Sequence, residues 1–147
     1  MTAAATLPSL TRLPDWPERL AEYLEQHRGA LFGWDGERDC AHFAAGAVRA
    51  VTSQDVLPCG WSSREEAVRL LRNAGGLVAA VDAVLPRLQS PAFAQRADIV
   101  LMQEPVGNLA RRWLAVCDCS RAWAPSRSGL LAAPMTAAVH AWGVGHG

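Results

Sequence analysis

No window of this 147-residue chain carries about 18 uninterrupted apolar residues, so no membrane span is expected. An excess of charge of one sign is also missing. The 14 basic and 14 acidic residues cancel, and the basic ones are scattered, which leaves no electrostatic footprint for nucleic acid or an anionic membrane. Residues Met1 to Leu13 lack a basic start followed by a continuous apolar run, so they do not read as a secretory signal. There is no internal repeat, and no low-complexity tract beyond a general richness in alanine. Cysteine is sparse: the four present sit in a chain of ordinary size that needs no covalent staples, so reduced thiols in a cytoplasm are expected. A protein of this kind would reach an envelope or a virion only by being carried there.

What is present is apolar material, half of all residues, enough for one domain over 1–147 with a lead-in over 1–13 and a tail over 145–147. Pro14-Asp15-Trp16-Pro17 marks a helix start, and Trp16, Leu20, Tyr23, Leu24 and His27 fall on one face before Gly29. His27 reads as a C-terminal dipole partner. A second helix opens at Asp39, with Cys40, Phe43, Ala44, Ala47, Val48 and Val51 at helical spacing. Ser62 or Ser63 caps a third helix, stopped by Gly75-Gly76. A fourth carries Leu77, Val78, Val81, Val84, Leu85 and Leu88 up to the Pro86 region.

From Gln89 onward the pattern changes to short apolar runs. Ile99-Val100-Leu101-Met102 fits a strand buried on both faces, Gln103 to Asn108 a turn, and Trp113 to Cys117 a second strand. Arg121 to Ala124 and Gly129 to Ala133 read as further strands. Pro134-Met135 starts a short helix reaching His140, and Ala141 to Val144 closes the sheet. Helices first and strands afterwards predict an α+β fold, with the Cys40 helix packed on a small C-terminal antiparallel sheet. An all-helical binding domain is the alternative, and it requires a helical second half.

Cys40 is the candidate nucleophile. In the first turn of a helix capped by Asp39, unpaired N–H groups and the dipole favour a thiolate. The competing reading makes it a small buried hydrophobe on an apolar helix face. A thiol nucleophile also needs a base, and that base an orienting group. His42 is two residues from Cys40 and points about 200° around the helix from it. His140 is the remaining candidate base, since His146 lies in the tail. Asp39 needs no role beyond capping, and Trp34 either lines a cleft or fills a gap beside the helix. Cys117-x-Cys119, with Cys59 or a histidine, is a possible soft-metal ligand set, but its spacing is not that of a zinc knuckle. Neither a metal nor a cofactor is expected.

Gly33-Trp34, followed by Asp39-Cys40 and an apolar helix, resembles the opening of the NlpC/P60 cysteine peptidases. It is closer still to the small NlpC/P60-like proteins of phage and prophage tail gene clusters, with their Trp-rich loop, Asp-Cys-Ala and alanine-rich helix. Arg96-Ala97-Asp98-Ile99-Val100-Leu101 is similar to the family's Gly-Asp strand, with Ala97 in the glycine's place. The resemblance spans Trp16 to Val144 and implies a papain-like fold. It also implies attack by Cys40 on peptides of the peptidoglycan stem, and contact of Asp39 with the substrate amine. The family's histidine opens the strand that corresponds to Trp113-Leu114-Ala115-Val116-Cys117, so Trp113 stands in its place. Tryptophan cannot accept a proton at neutral pH. Two functions follow: a degenerate relative of the peptidases in a tail module, or a non-catalytic tail-assembly protein whose cleft binds a partner.

Overall fold

The computed structural model describes residues 7, 9–34, 39–57 and 60–146. Four helices come first: α1 (Trp16–Gln26), α2 (Cys40–Thr52), α3 (Arg64–Ala74) and α4 (Leu77–Asp82). Five strands follow: β1 (Ile99–Val106), β2 (Leu109–Asp118), β3 (Arg121–Ser126), β4 (Gly129–Pro134) and β5 (Ala138–Trp142). They form one antiparallel sheet in the order β4-β3-β2-β1-β5, so the fold is α+β and the all-helical alternative is excluded.

Helix α2 sits on one sheet face because its apolar stripe, Phe43, Ala44, Ala47, Val48 and Val51, meets Ile99, Leu101, Leu114, Val116 and Trp142. The alternate residues Val100, Met102, Ala115 and Cys117 form a second apolar cluster on the opposite face. All four residues from Ile99 to Met102 are therefore buried, which is why that run has no polar alternation. Helix α1 approaches α2 closely. The Tyr23 hydroxyl donates to Phe43 O at 2.7 Å, and a Cβ on Gly46 would lie 2.3 Å from that hydroxyl.

Several boundaries differ from the sequence reading. Residues 103–108 are not a turn: β1 runs to Val106, and only Gly107 and Asn108 turn, Gly107 at φ 62. Pro105 is tolerated because β5 pairs with β1 only as far as Met102, which leaves that edge of the β1 extension without a ladder to interrupt. Helix α4 stops at Asp82, because residues 86–88 are drawn onto β5: Leu88 N–H donates to Ala141 O and Gly143 N–H to Pro86 O, each at 2.9 Å. The helix expected from Pro134 to His140 is a single 3-10 turn, Met135–Ala137, and His140 lies in β5. Cys119 is not in a strand with Cys117. It occupies a tight turn at φ 64 with an exposed thiol, whereas Cys117 is buried.

The two ends are tied to the body. Leu13 N–H donates to Val51 O at 2.8 Å, and Arg12 donates to Val144 O at 2.7 Å. Arg12 also reaches Asp98 at 3.1 Å, and His146 Nε2 lies 2.8 and 2.7 Å from the two Asp98 oxygens. Residues 10–13 and 145–146 are thus a clasp around a buried carboxylate. They do not form the loose lead-in and tail expected from the sequence.

Ala97, which precedes Asp98, is buried at φ 79, a backbone shape that suits glycine. Ala97→Gly relieves about 1–2 kcal/mol of steric cost. It also gives up about 0.8 kcal/mol of methyl burial and about 0.4–1 kcal/mol of chain entropy. Its unfolding free energy from urea titration should therefore stay within about 1 kcal/mol of the parent's. Ala97→Val, branched and overpacked at the same φ, should lose at least about 2 kcal/mol in the same titration.

Candidate functional site

Asp39 is a complete N-cap: extended at φ −81 and ψ 165, it accepts the His42 backbone N–H on Oδ1 at 2.9 Å. Its other oxygen accepts from His42 Nδ1 at 2.5 Å and from Trp61 Nε1 at 3.0 Å. The carboxylate is 1% exposed and its oxygens are occupied by internal donors, so in this arrangement it does not open onto solvent. His42 is a structural partner of Asp39, wedged against Gly60, where a Cβ would come within 2.7 Å of Nε2. Trp61 was not singled out from the sequence. It lies 22 residues from Asp39 in a connecting segment, and no local pattern signals the contact.

Cys40, the next residue, lines a cleft of about 420 Å³ at the start of α2. Its sulfur lies among the N–H groups of Cys40, Ala41 and Leu114, which favour the thiolate. Burial outweighs them, and the Asp39 carboxylate adds to burial, so the thiol is pushed up to about 11. The placement at a helix start is the one expected; the direction of the ionisation is the reverse. Dipole arguments assume a solvated helix end, and here β2 covers it.

Trp113 lines the same cleft as Cys40. So does Trp34, packed edge-to-face on Phe32 with ring centroids 5.2 Å apart. Arg111, Arg112 and Glu104 complete the rim, and none of these three was picked out from the sequence. Glu104 falls in the segment that the sequence reads as a turn, and Arg111 and Arg112 lie just before the strand read from Trp113, so no local pattern joins them to Cys40.

No histidine lines the cleft. His140, the candidate base, is on β5, across β1 from the strand that carries Trp113, and its Nδ1 is 3.5 Å from Arg87 Nη1. Beside it the hydrogen bond from Arg87 holds the Asp82 carboxyl below the usual carboxylate range, and Trp142 Nε1 donates to Asp82 at 2.8 Å. His140 thus belongs to a surface ion-pair group, and the structure does not bring it to Cys40. His27 Nδ1 donates to Tyr23 O at 2.8 Å, away from the cleft, and His146 is held by Asp98. Among the described residues there is no group of three or more side chains able to hold a metal ion; Cys59 lies outside them. No helix among them is long and apolar enough to cross a membrane.

The family described as "Domain of unknown function (DUF6950)" matches residues 11–144, and the chain belongs to it. No curated protein matches the chain significantly.

Proposed function

We propose that this member of the DUF6950 family is an NlpC/P60-like, papain-fold protein of a phage or prophage tail module. Its peptidase cleft has lost its base and holds a polypeptide without cutting it. The partner is a peptidoglycan stem peptide or another tail protein, and the chain joins the virion after synthesis in the cytoplasm. One observation carries the reading: Cys40 and Trp113 share a cleft that contains no histidine. With no imidazole at hand and a thiol pushed upward by burial, the usual agent for taking the thiol proton and returning it to a leaving amine is missing.

The likeness to the peptidases is supported by the Asp39-Cys40 helix start against β2, and by Ala97 at φ 79 just before Asp98, where those proteins carry glycine. An active reading would need Asp39 to meet a substrate amine, and its oxygens are already taken by His42 and Trp61. The test is incubation with soluble muropeptides bearing stem peptides, read by mass spectrometry. Wild type and Cys40→Ala should release the same background of products. Cleavage that depends on Cys40 would overturn the reading.

A further inference from the structure

We infer that Cys117 and Cys119 are a redox pair at the β2–β3 turn: a hydroperoxide oxidises the exposed Cys119 thiol, and the buried Cys117 thiol closes on it as a disulfide. Cys117 belongs to the sheet face opposite the Cys40 helix, so the inference stands apart from the reading of the cleft.

The turn is an unfavourable place for a cysteine. Asp118 pairs with Arg121, so Cys119 and Ser120 are the two central residues of a tight hairpin turn, with Cys119 at φ 64. Glycine suits a positive φ at the first central position, and a side chain there costs about 1–2 kcal/mol. The surroundings hold the turn in this shape. Cys117 N–H donates to Asp98 O at 2.8 Å, and Met135 N–H donates to Ser120 O at 2.9 Å. Cys119 is exposed, whereas Cys117 is fully buried and its Sγ is directed onto Cys119 O at 3.7 Å. Asp118, between them, faces the other way, its carboxylate taken by Arg96 Nε at 2.9 Å and Trp123 Nε1 at 3.2 Å. Two steps of extended chain put the Cα atoms of 117 and 119 roughly 6.6 Å apart. A disulfide spans about 4.4–6.8 Å between Cα atoms.

Exposure and burial divide the chemistry between the two thiols. The Cys119 thiolate attacks the outer oxygen of the hydroperoxide; an S–O bond forms, the O–O bond breaks, and the alkoxide leaves as an alcohol with the thiol's proton. Cys119 is then a sulfenic acid. Cys117 Sγ attacks that sulfur, the S–S bond forms, the S–O bond breaks, and hydroxide leaves as water with the Cys117 proton. Two thiols and one hydroperoxide thus give a disulfide, an alcohol and water, two electrons passing from sulfur to oxygen. Burial first, then Asp98 and Cys119, push the Cys117 thiol up to about 11, so it does not meet the oxidant first. Its place beside the turn stops Cys119 from climbing to sulfinic acid. A bridge near the upper end of its span is readily reduced, so the pair can reopen.

The test treats the reduced, folded full chain with about one equivalent of hydrogen peroxide, then alkylates the remaining thiols in urea. Tryptic peptide 113–121 carries both residues and no other cysteine. It should return unalkylated and about 2 Da lighter than its dithiol form, and dithiothreitol should restore it. Cys117→Ala should leave Cys119 to go on to sulfinic acid, and in Cys119→Ser the Cys117 thiol should oxidise at least about tenfold more slowly than in the parent. Three results overturn the inference: two alkylated thiols after excess peroxide, a wild-type Cys119 sulfinic acid beside an alkylated Cys117, or Cys119 bridged to another chain. Closure that occurs only when the peroxide is added in urea also overturns it, because the pair would then be a property of the unfolded chain.

Discussion

Asp98→Ala should cost about 3–5 kcal/mol of unfolding free energy, the range for breaking one side of a buried ion pair. Asp98 is fully buried and is met from four directions: Gln95 N–H at 2.7 Å, Val144 N–H at 2.9 Å, Arg12 at 3.1 Å and His146 at 2.7 Å. Removing the carboxylate leaves the buried Val144 N–H and the part-buried Gln95 N–H without an acceptor and the Arg12 guanidinium, 11% exposed, without its counter-charge. Since the same carboxylate joins both chain ends to β1, the loss should also release residues 10–13 and 144–146 to hydrogen exchange. Urea titration of Asp98→Ala, Arg12→Ala and the double variant measures this. The double variant should be much less destabilised than the sum of the singles.

Asp39→Ala should cost about 3 kcal/mol or more, because it removes a cap and also strands two other donors. The cap alone accounts for about 0.5–2 kcal/mol. Trp61 Nε1, buried, and His42 Nδ1, nearly so, then face a vacated site. The conservative Asp39→Asn keeps the cap oxygen and most of the packing, and its loss should be smaller. It has a second effect. The Asp39 charge is one of the causes that hold the Cys40 thiol protonated, so neutralising it should lower the thiol's pKa and speed its alkylation at a fixed alkaline pH. Faster alkylation without global unfolding separates an electrostatic role from a merely structural one.

Local signals carried much of the fold. Asp39, Ser63 and Gly75 sit at the caps that their chemistry implies, and the run from Ile99 to Met102 is buried on both faces. What the sequence hides is non-local pairing. Residues 138–142 have no strand signal strong enough to beat the preceding Pro134-Met135, and they become β5 because β1 offers a free edge. Leu88 looks helical until Ala141 takes its N–H. His146, in a glycine-flanked tail, gave no hint that Asp98, 48 residues earlier, would hold it. At the site, Cys40 and Asp39 could be named from their helix start. The internal donors that occupy Asp39 and the burial that outweighs the dipole at Cys40 depend on Trp61 and β2, which only folding brings there.

The upward shift of Cys40 also fixes how stability responds to alkali. The unfolded thiol ionises near the free value of about 8.5, while the folded one holds its proton to about 11. Cys40's contribution is therefore complete below the free value and is lost as pH rises from there through about 11.

The most direct measurement is the pH dependence of Cys40 alkylation by iodoacetamide, in a variant carrying Cys59→Ser, Cys117→Ala and Cys119→Ser. A protein that binds without cutting should show slow reaction at neutral pH and a rate that climbs with an ionisation near 11. A rate that levels off well below the free-thiol value of about 8.5 would mean an activated nucleophile and would contradict the account.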